Sequence, residues 1–282
     1  MKEKMAQKST IQREISLSGV GIHSGEKVNL ILKPSTAGEI TLLRKDKGSS
    51  EIRIDSQKIK AKRSSFLDTS REKILTLEHL LAVLYMFGID SLVIELDGGE
   101  IPIMDGSALP FVQAIREAGV SPLPQEKKTL RILKSYTVRE NDASLSFHPD
   151  SDFKITYCIE FDHPVIRRQE LSLPITLEGF VKEIAPARTF GFLKDVPQLR
   201  REGLALGGSL ENAIVLDEER VINGPLHFPD EFVRHKILDL IGDLSLLASP
   251  VLGHFKAHKA GHLLHLKAVR FILNNPEFWV FA

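Results

Sequence analysis

Apolar residues follow two periods along this chain. Val28, Leu30 and Leu32 alternate with polar neighbours, as a strand with one buried face requires. Phe232, Val233, Ile237, Leu240, Ile241, Leu244 and Leu247 form a broad helical stripe, and Pro229, Asp230 and Glu231 ahead of them mark a helix start. The pattern predicts a helix over 229–248. A second strongly apolar helix is predicted over 74–88, ending at Gly88, with Glu78 and His79 as its ionisable groups after Lys73.

Between these landmarks the chain reads as strands and short connections. A glycine-punctuated turn, Ser18-Gly-Val-Gly-Ile-His-Ser-Gly25, separates strand patterns at 11–17 and 28–32, and short strands interrupted by basic residues continue over 36–66. A strand at 91–97 leads through a turn into a helix at 108–118, and Ser121-Pro-Leu-Pro-Gln-Glu-Lys-Lys reads as a linker. Strands are expected at 129–138, 144–147, 153–161, 213–216 and 250–256, and helices near 176–184, 195–202 and 259–273.

Each half thus runs through several strands, then helix, strand, glycine turn and helix. The expected class is α+β: two similar domains, 1–122 and 128–282, with helix layers packed between two β-sheets.

Composition narrows the partners. The 37 basic and 37 acidic side chains cancel, which removes a global electrostatic reason to expect nucleic acid or a polybasic membrane contact. With 43% hydrophobic residues in 282 the chain can bury a full core. A single cysteine, Cys158, excludes a disulfide framework and a cysteine-rich zinc module, so any metal must use His and carboxylate. The charged start, Met1 to Thr10, lacks an apolar signal core, and no apolar run approaches the length that spans a bilayer; the expectation is a cytoplasmic protein without a transmembrane segment, and a monomer.

Candidate chemistry lies on the two helices. His235, Asp239 and Asp243 recur at i, i+4 and i+8 and share one face. That spacing can seat a metal ion, but a solvated polar face is the simpler reading of it. Gly242 favours close packing, because glycine inside a helix costs about 1 kcal/mol relative to Ala.

If the halves pack helix layer on helix layer, His79 meets His235 and Asp239. Two imidazoles and a carboxylate leave a coordination position open, as catalytic zinc requires, and iron(II) suits the same ligands. Glu78 could then take a proton from water, and His262, in Lys259-Ala-Gly-His, could deliver one to a leaving group with Asp243 holding its ring. The i, i+4, i+8 set His254, His258 and His262 is a weaker metal candidate, because a strand end and Gly261 break its spacing. His23, in the glycine turn, reads as a binding residue or as an ordinary turn histidine. Asp97, Glu100 and Asp105 imitate a paired acid and base; Asp105 and Ser107 read more simply as turn and helix-entry residues. The pair Gly207-Gly208 is no phosphate loop, since no Gly-Lys-Ser/Thr follows.

Seven segments, in order, carry a resemblance: Gly-Val-Gly-Ile-His-Ser-Gly, Thr-Leu-Glu-His-Leu-Leu, Ile-Met-Asp-Gly-Ser-Ala, Ala-Arg-Thr-Phe-Gly-Phe, Gly-Gly-Ser-Leu-Glu-Asn-Ala, Phe-Val-Arg-His-Lys-Ile-Leu-Asp and Lys-Ala-Gly-His. Together they strongly resemble the UDP-3-O-acyl-N-acetylglucosamine deacetylases, zinc hydrolases of lipid A biosynthesis. The resemblance implies that His79, His235 and Asp239 bind zinc, with Glu78 as general base, His262 as general acid and Asp243 as its partner. It further implies that Thr189 hydrogen-bonds the oxyanion, that Lys236 and Phe190 contact the sugar nucleotide, and that Phe161 lies in the uridine-contacting segment. Leu193, Val196, Leu210, Ala213 and Val215 match the region of an apolar passage for the substrate's acyl chain; singly, each would read as core.

Three features depart from the family's pattern. His258 replaces an expected aromatic hydroxyl, Leu264-His265-Leu replaces an Asn-rich turn, and Thr69-Ser-Arg-Glu-Lys lacks expected glycines. The first two, near His262, point to altered acyl or sugar preference without touching the metal set. The competing classes are an amidase or esterase for another acylated substrate and a binding protein of the same fold; retention of base, acid and three ligands together favours the enzyme.

Overall fold

The computed structural model describes residues 6–48, 51–70 and 72–282. The first five residues of the charged start and Arg71 of the 69–73 connection lie outside the described residues.

The two halves repeat one strand order. In the first, the sheet runs Ile15–Val20, Lys27–Pro34, Leu92–Leu96, Ile40–Arg44, Ile52–Arg53. In the second, Tyr136–Glu140, Ala143–His148, Val251–His258, Phe153–Glu160 and Arg168–Pro174 are paired in the same succession. In each, the central strand is antiparallel to the strand before it in this order and parallel to the one after it. In each, one helix precedes the central strand and another follows it: Glu78–Met86 and Leu109–Ala118 in the first half, Glu231–Leu244 and His262–Asn274 in the second. Among the described residues no sheet mixes strands from before residue 127 with strands from after 129.

Alternation supplies one apolar face per sheet. Val28, Leu30 and Leu32 are fully buried between more exposed neighbours, and Val251, Phe255 and Ala257 do the same in the second half. The helices cover these faces. The Glu231 helix is packed on the Glu78 helix, on the His262 helix and on strands of the second sheet. It is therefore buried nearly all round, and twelve of its fourteen residues are buried. The solvated-face reading of His235, Asp239 and Asp243 is excluded on that ground.

Several boundaries differ from the sequence expectation. The segment read as a linker is mostly the strand Val120–Glu126, antiparallel to Gln7–Ile11. Pro122 and Pro124 are tolerated there because a two-stranded ribbon has only edges, so a missing N–H breaks no ladder on the free side. The first apolar helix starts at Glu78 rather than 74: Lys73–Ile74 is a strand, and Thr76 has a φ of 61°, which no helix continues through. The 129–138 strand is two, Leu130–Ile132 and Tyr136–Glu140. The 176–184 helix is one α turn at Leu177–Gly179 followed by a π segment, Phe180–Ile184. Four strands, Gln7–Ile11, Arg168–Pro174, Phe190–Phe192 and Trp279–Phe281, lie outside the expected ones. Among the described residues no helix is long and apolar enough to cross a membrane.

Candidate active site

Glycine brings the halves together. A Cβ on Gly242 would stand 2.8 Å from the carbonyl carbon of Glu78 and 3.0 Å from its Cα, so only glycine lets the Glu231 helix reach the start of the Glu78 helix. A Cβ on Gly207 would stand 2.9 Å from the Cα of Gly25. Backbone bonds from Leu206 and Gly207 to the carbonyls of His23 and Ile22 clasp the glycine turn of the first half. The Gly-Gly-Ser segment therefore stitches the halves rather than cradling a phosphate.

At this seam His79, His235 and Asp239 converge, each offering a ligand atom within 4.8 Å of the others. The Nε2 atoms of His79 and His235 lie 3.8 and 3.5 Å from Asp239 Oδ1. The Nδ1 of His235 donates to the Ala187 carbonyl at 3.1 Å, which turns its other nitrogen inward. Burial lowers the pKa of both imidazoles, that of His79 to about 3, so each presents a neutral ring with a lone pair. Asp239 is buried, which opposes its charge, yet the Lys236 ammonium holds it below the usual carboxylate range. Lys236 Nζ sits 2.6 Å from Asp239 Oδ2. Two neutral imidazoles and one ionised carboxylate are the donor set a divalent metal needs.

A second cluster adjoins it. His262 Nε2 lies 3.7 Å from Glu78 Oε1 and 3.6 Å from Asp239 Oδ2, and its Nδ1 bonds Asp243 Oδ2 at 2.7 Å. Burial pushes Glu78 up to about 8, only partly offset by His262. Burial works against charge on His262, but Asp243 and Asp239 outweigh it and raise the ring to about 9. Both groups are thus poised to hold and exchange protons near neutral pH.

A cavity of about 610 Å³ opens over both clusters. Glu78, His79, His235, Lys236, Asp239 and His262 line it at one end. Thr189, Phe190, Phe161, His23, Leu193, Val196, Leu210, Ala213 and Val215 also line it. Of the site residues named from sequence, Asp243 alone does not line it, and stands behind His262. Thr189 is fixed at the edge by its N–H to the Gly106 carbonyl, 2.8 Å, and by its own carbonyl accepting from Ile214, 2.7 Å. His23 is anchored by its backbone N–H on Glu100, 3.0 Å, while its buried Nδ1 has no partner among the described residues. Glu100 also binds Ser24 and Thr76, and Asp105 caps Ser107, so neither is an acid–base pair.

Sequence reasoning missed five contributors. The N–H of Ser65 binds Glu78 at 3.1 Å, and its hydroxyl binds Asp243. His265, expected only to alter acyl or sugar preference, is fully buried, does not line the cavity, and bonds Asp243 at 2.8 Å. Tyr157 sits behind it. Arg63 and Arg200 add positive charge to the cavity walls. The i, i+3 spacing of His262 and His265 was the available signal, since it places both on one helix face.

A family model described as UDP-3-O-acyl N-acetylglycosamine deacetylase (LpxC) matches residues 8–274. A protein of Thermodesulfovibrio yellowstonii named UDP-3-O-acyl-N-acetylglucosamine deacetylase is 47% identical over 270 residues, covering 93% of this chain and 90% of that one. Proteins of the same name from Syntrophus aciditrophicus and Myxococcus xanthus are 45% and 46% identical, covering 97% and 95% of this chain and 88% and 87% of their own. With the match running through both halves and every segment that builds the cavity, the chain belongs to the UDP-3-O-acyl N-acetylglycosamine deacetylase family.

Proposed function

We propose that this protein hydrolyses the acetamide of UDP-3-O-acyl-N-acetylglucosamine, giving acetate and the free amine, as a step of lipid A biosynthesis in the cytoplasm, and that it acts as a monomer with a zinc ion held by His79, His235 and Asp239. The observation that carries this reading is the convergence of His79 from one half with His235 and Asp239 from the other, beneath a cavity lined in part by apolar side chains. Iron(II) suits the same donors.

When bound, the ion supplies Lewis acidity, polarising the acetamide carbonyl and acidifying water at the site. Glu78, which lines the cavity beside the ligand set, accepts the proton of the attacking water. The Thr189 hydroxyl faces the developing oxyanion as a donor. His262, charged and oriented by Asp243, protonates the departing nitrogen. Lys236 lies within 6.0 Å of the Phe190 ring centre and offers a point charge to the diphosphate, and Phe161 meets Phe190 edge to face, 5.8 Å between centres, at the nucleotide end. Leu193, Val196, Leu210, Ala213 and Val215 form the acyl-chain wall.

The test is acetate release from UDP-3-O-acyl-N-acetylglucosamine, with metal content measured before and after chelation. Activity that tracks zinc or iron content supports the reading. A metal-loaded protein that releases no acetate overturns it.

A further inference from the structure

Both oxygens of the Asp243 carboxylate are engaged. Oδ2 accepts from His262 Nδ1 at 2.7 Å and from His265 Nδ1 at 2.8 Å, and Oδ1 accepts from the Ser65 hydroxyl. A carboxylate only accepts, so both imidazoles carry hydrogen on Nδ1. The three donors come from two elements: Ser65 begins the strand Ser65–Asp68 of the first half, and His262 and His265 lie one turn apart on the last helix. Every member is buried, His265 and Asp243 almost completely. The far side of His265 is closed by the Tyr157 hydroxyl, 3.0 Å from Nε2 and 2.8 Å from the Ala260 carbonyl that it also meets.

We propose that His265 and Ser65 are positioning residues for the proton-delivering histidine, locking the Asp243 carboxylate so that His262 has one orientation. The inference rests on the functional reading above. With one imidazole alone, an aspartate can rotate about its terminal torsion and carry the ring with it. With a second imidazole on the same oxygen and a hydroxyl on the other, rotation breaks two additional charge-assisted bonds in a buried site. Ser65 further ties this carboxylate to Glu78, whose Oε2 takes the Ser65 N–H. Base and acid are therefore registered to each other through one residue of the first half. Neither His265 nor Ser65 reaches the cavity, so substrate binding does not depend on them directly.

The test combines kinetics with proton NMR of the imidazole N–H groups. His265→Leu should lower kcat about 10- to 100-fold, the effect of losing a buried bond to a charged group, at unchanged KM. His265→Asn, whose amide nitrogen occupies the place of Nδ1, should restore most of that turnover. In an Asp243→Ala background His265→Leu should add little further loss. The wild-type protein should show two downfield imidazole N–H resonances, both lost in Asp243→Ala. Should His265→Leu fail to fold, Ser65→Ala, which only removes a hydroxyl, must show the kcat loss. Wild-type kcat in His265→Leu or in Ser65→Ala, or a loss repeated in full on Asp243→Ala, overturns the inference. Two resonances in a protein that releases no acetate would instead remove the functional reading and leave the geometry standing.

Discussion

Gly242 lies against the backbone of Glu78, and this approach holds the Glu231 helix of one half on the Glu78 helix of the other. Alanine would favour the helix by about 1 kcal/mol, but its methyl would stand 2.8 Å from a backbone carbon that cannot give way. The clash wins. Gly242→Ala should therefore be destabilised by about 1–3 kcal/mol in urea unfolding and should lose metal affinity as well, because the shift separates His79 from His235 and Asp239.

Metal retention provides the second expectation. His79→Ala and Asp239→Ala should each be purified with less than a tenth of the wild-type metal, since each removes one of three donors. Metal analysis of dialysed protein reads this directly. Full stoichiometry in either variant would place the ion elsewhere.

Proton transfer can be separated from binding. Glu78→Gln and His262→Ala should each lower kcat by about 10²–10⁴-fold, the usual worth of a positioned acid or base. KM should change far less in Glu78→Gln. Steady-state kinetics on the acylated sugar nucleotide is the measurement, and wild-type turnover from both variants would remove the mechanism.

Acid stability should depend on Glu231. It is fully buried, which pushes its carboxyl up, but the Arg188 side chain at 2.9 Å and the N–H groups of Arg188 and His227 outweigh burial and hold it below the usual 4.5. A group depressed in the folded state stabilises above its unfolded pKa, and that stability is lost as pH falls through the folded value. Unfolding free energy should thus drop below about pH 4.5 more steeply in wild type than in Glu231→Gln. Urea titrations at several pH values test the slope.

Chain-length preference should respond to the cavity wall. Ala213→Trp fills part of the cavity that Ala213 lines. Three methylenes driven out would cost about 2.4 kcal/mol, roughly 60-fold in kcat/KM for a long acyl chain. A substrate with a short acyl chain should be spared, so the ratio of the two is the diagnostic.

The residues that carry local signals were readable in advance. Four-residue spacing put His235, Asp239 and Asp243 on one helix face, and Gly242 inside that helix marked a close approach that the structure locates at Glu78. The internal repeat was legible as helix, strand, glycine turn and helix, although its shared strand order was not, because alternation marks a strand without naming its neighbour. Ser65 carried no signal at all: its bond to Asp243 spans 178 residues. His265 stands at helical spacing from His262, but spacing does not name its partner; the Asp243 carboxylate, on another helix, is that partner. The Pro122 and Pro124 segment imitated a linker because proline is excluded from central strands, whereas this strand has an open edge.

By itself the sequence determined which side chains share a helix face or a strand face, where glycine is required, and the ordered motifs that reveal the family. Tertiary structure alone decided that the face bearing Glu78 and His79 meets the face bearing His235, Asp239 and Asp243, and that Ser65 and His265 close around the last of these. The reason is physical. Local periodicity follows from backbone geometry within a few residues, whereas the meeting of two faces depends on burying apolar surface between segments far apart in the chain, and many pairings satisfy the same periods.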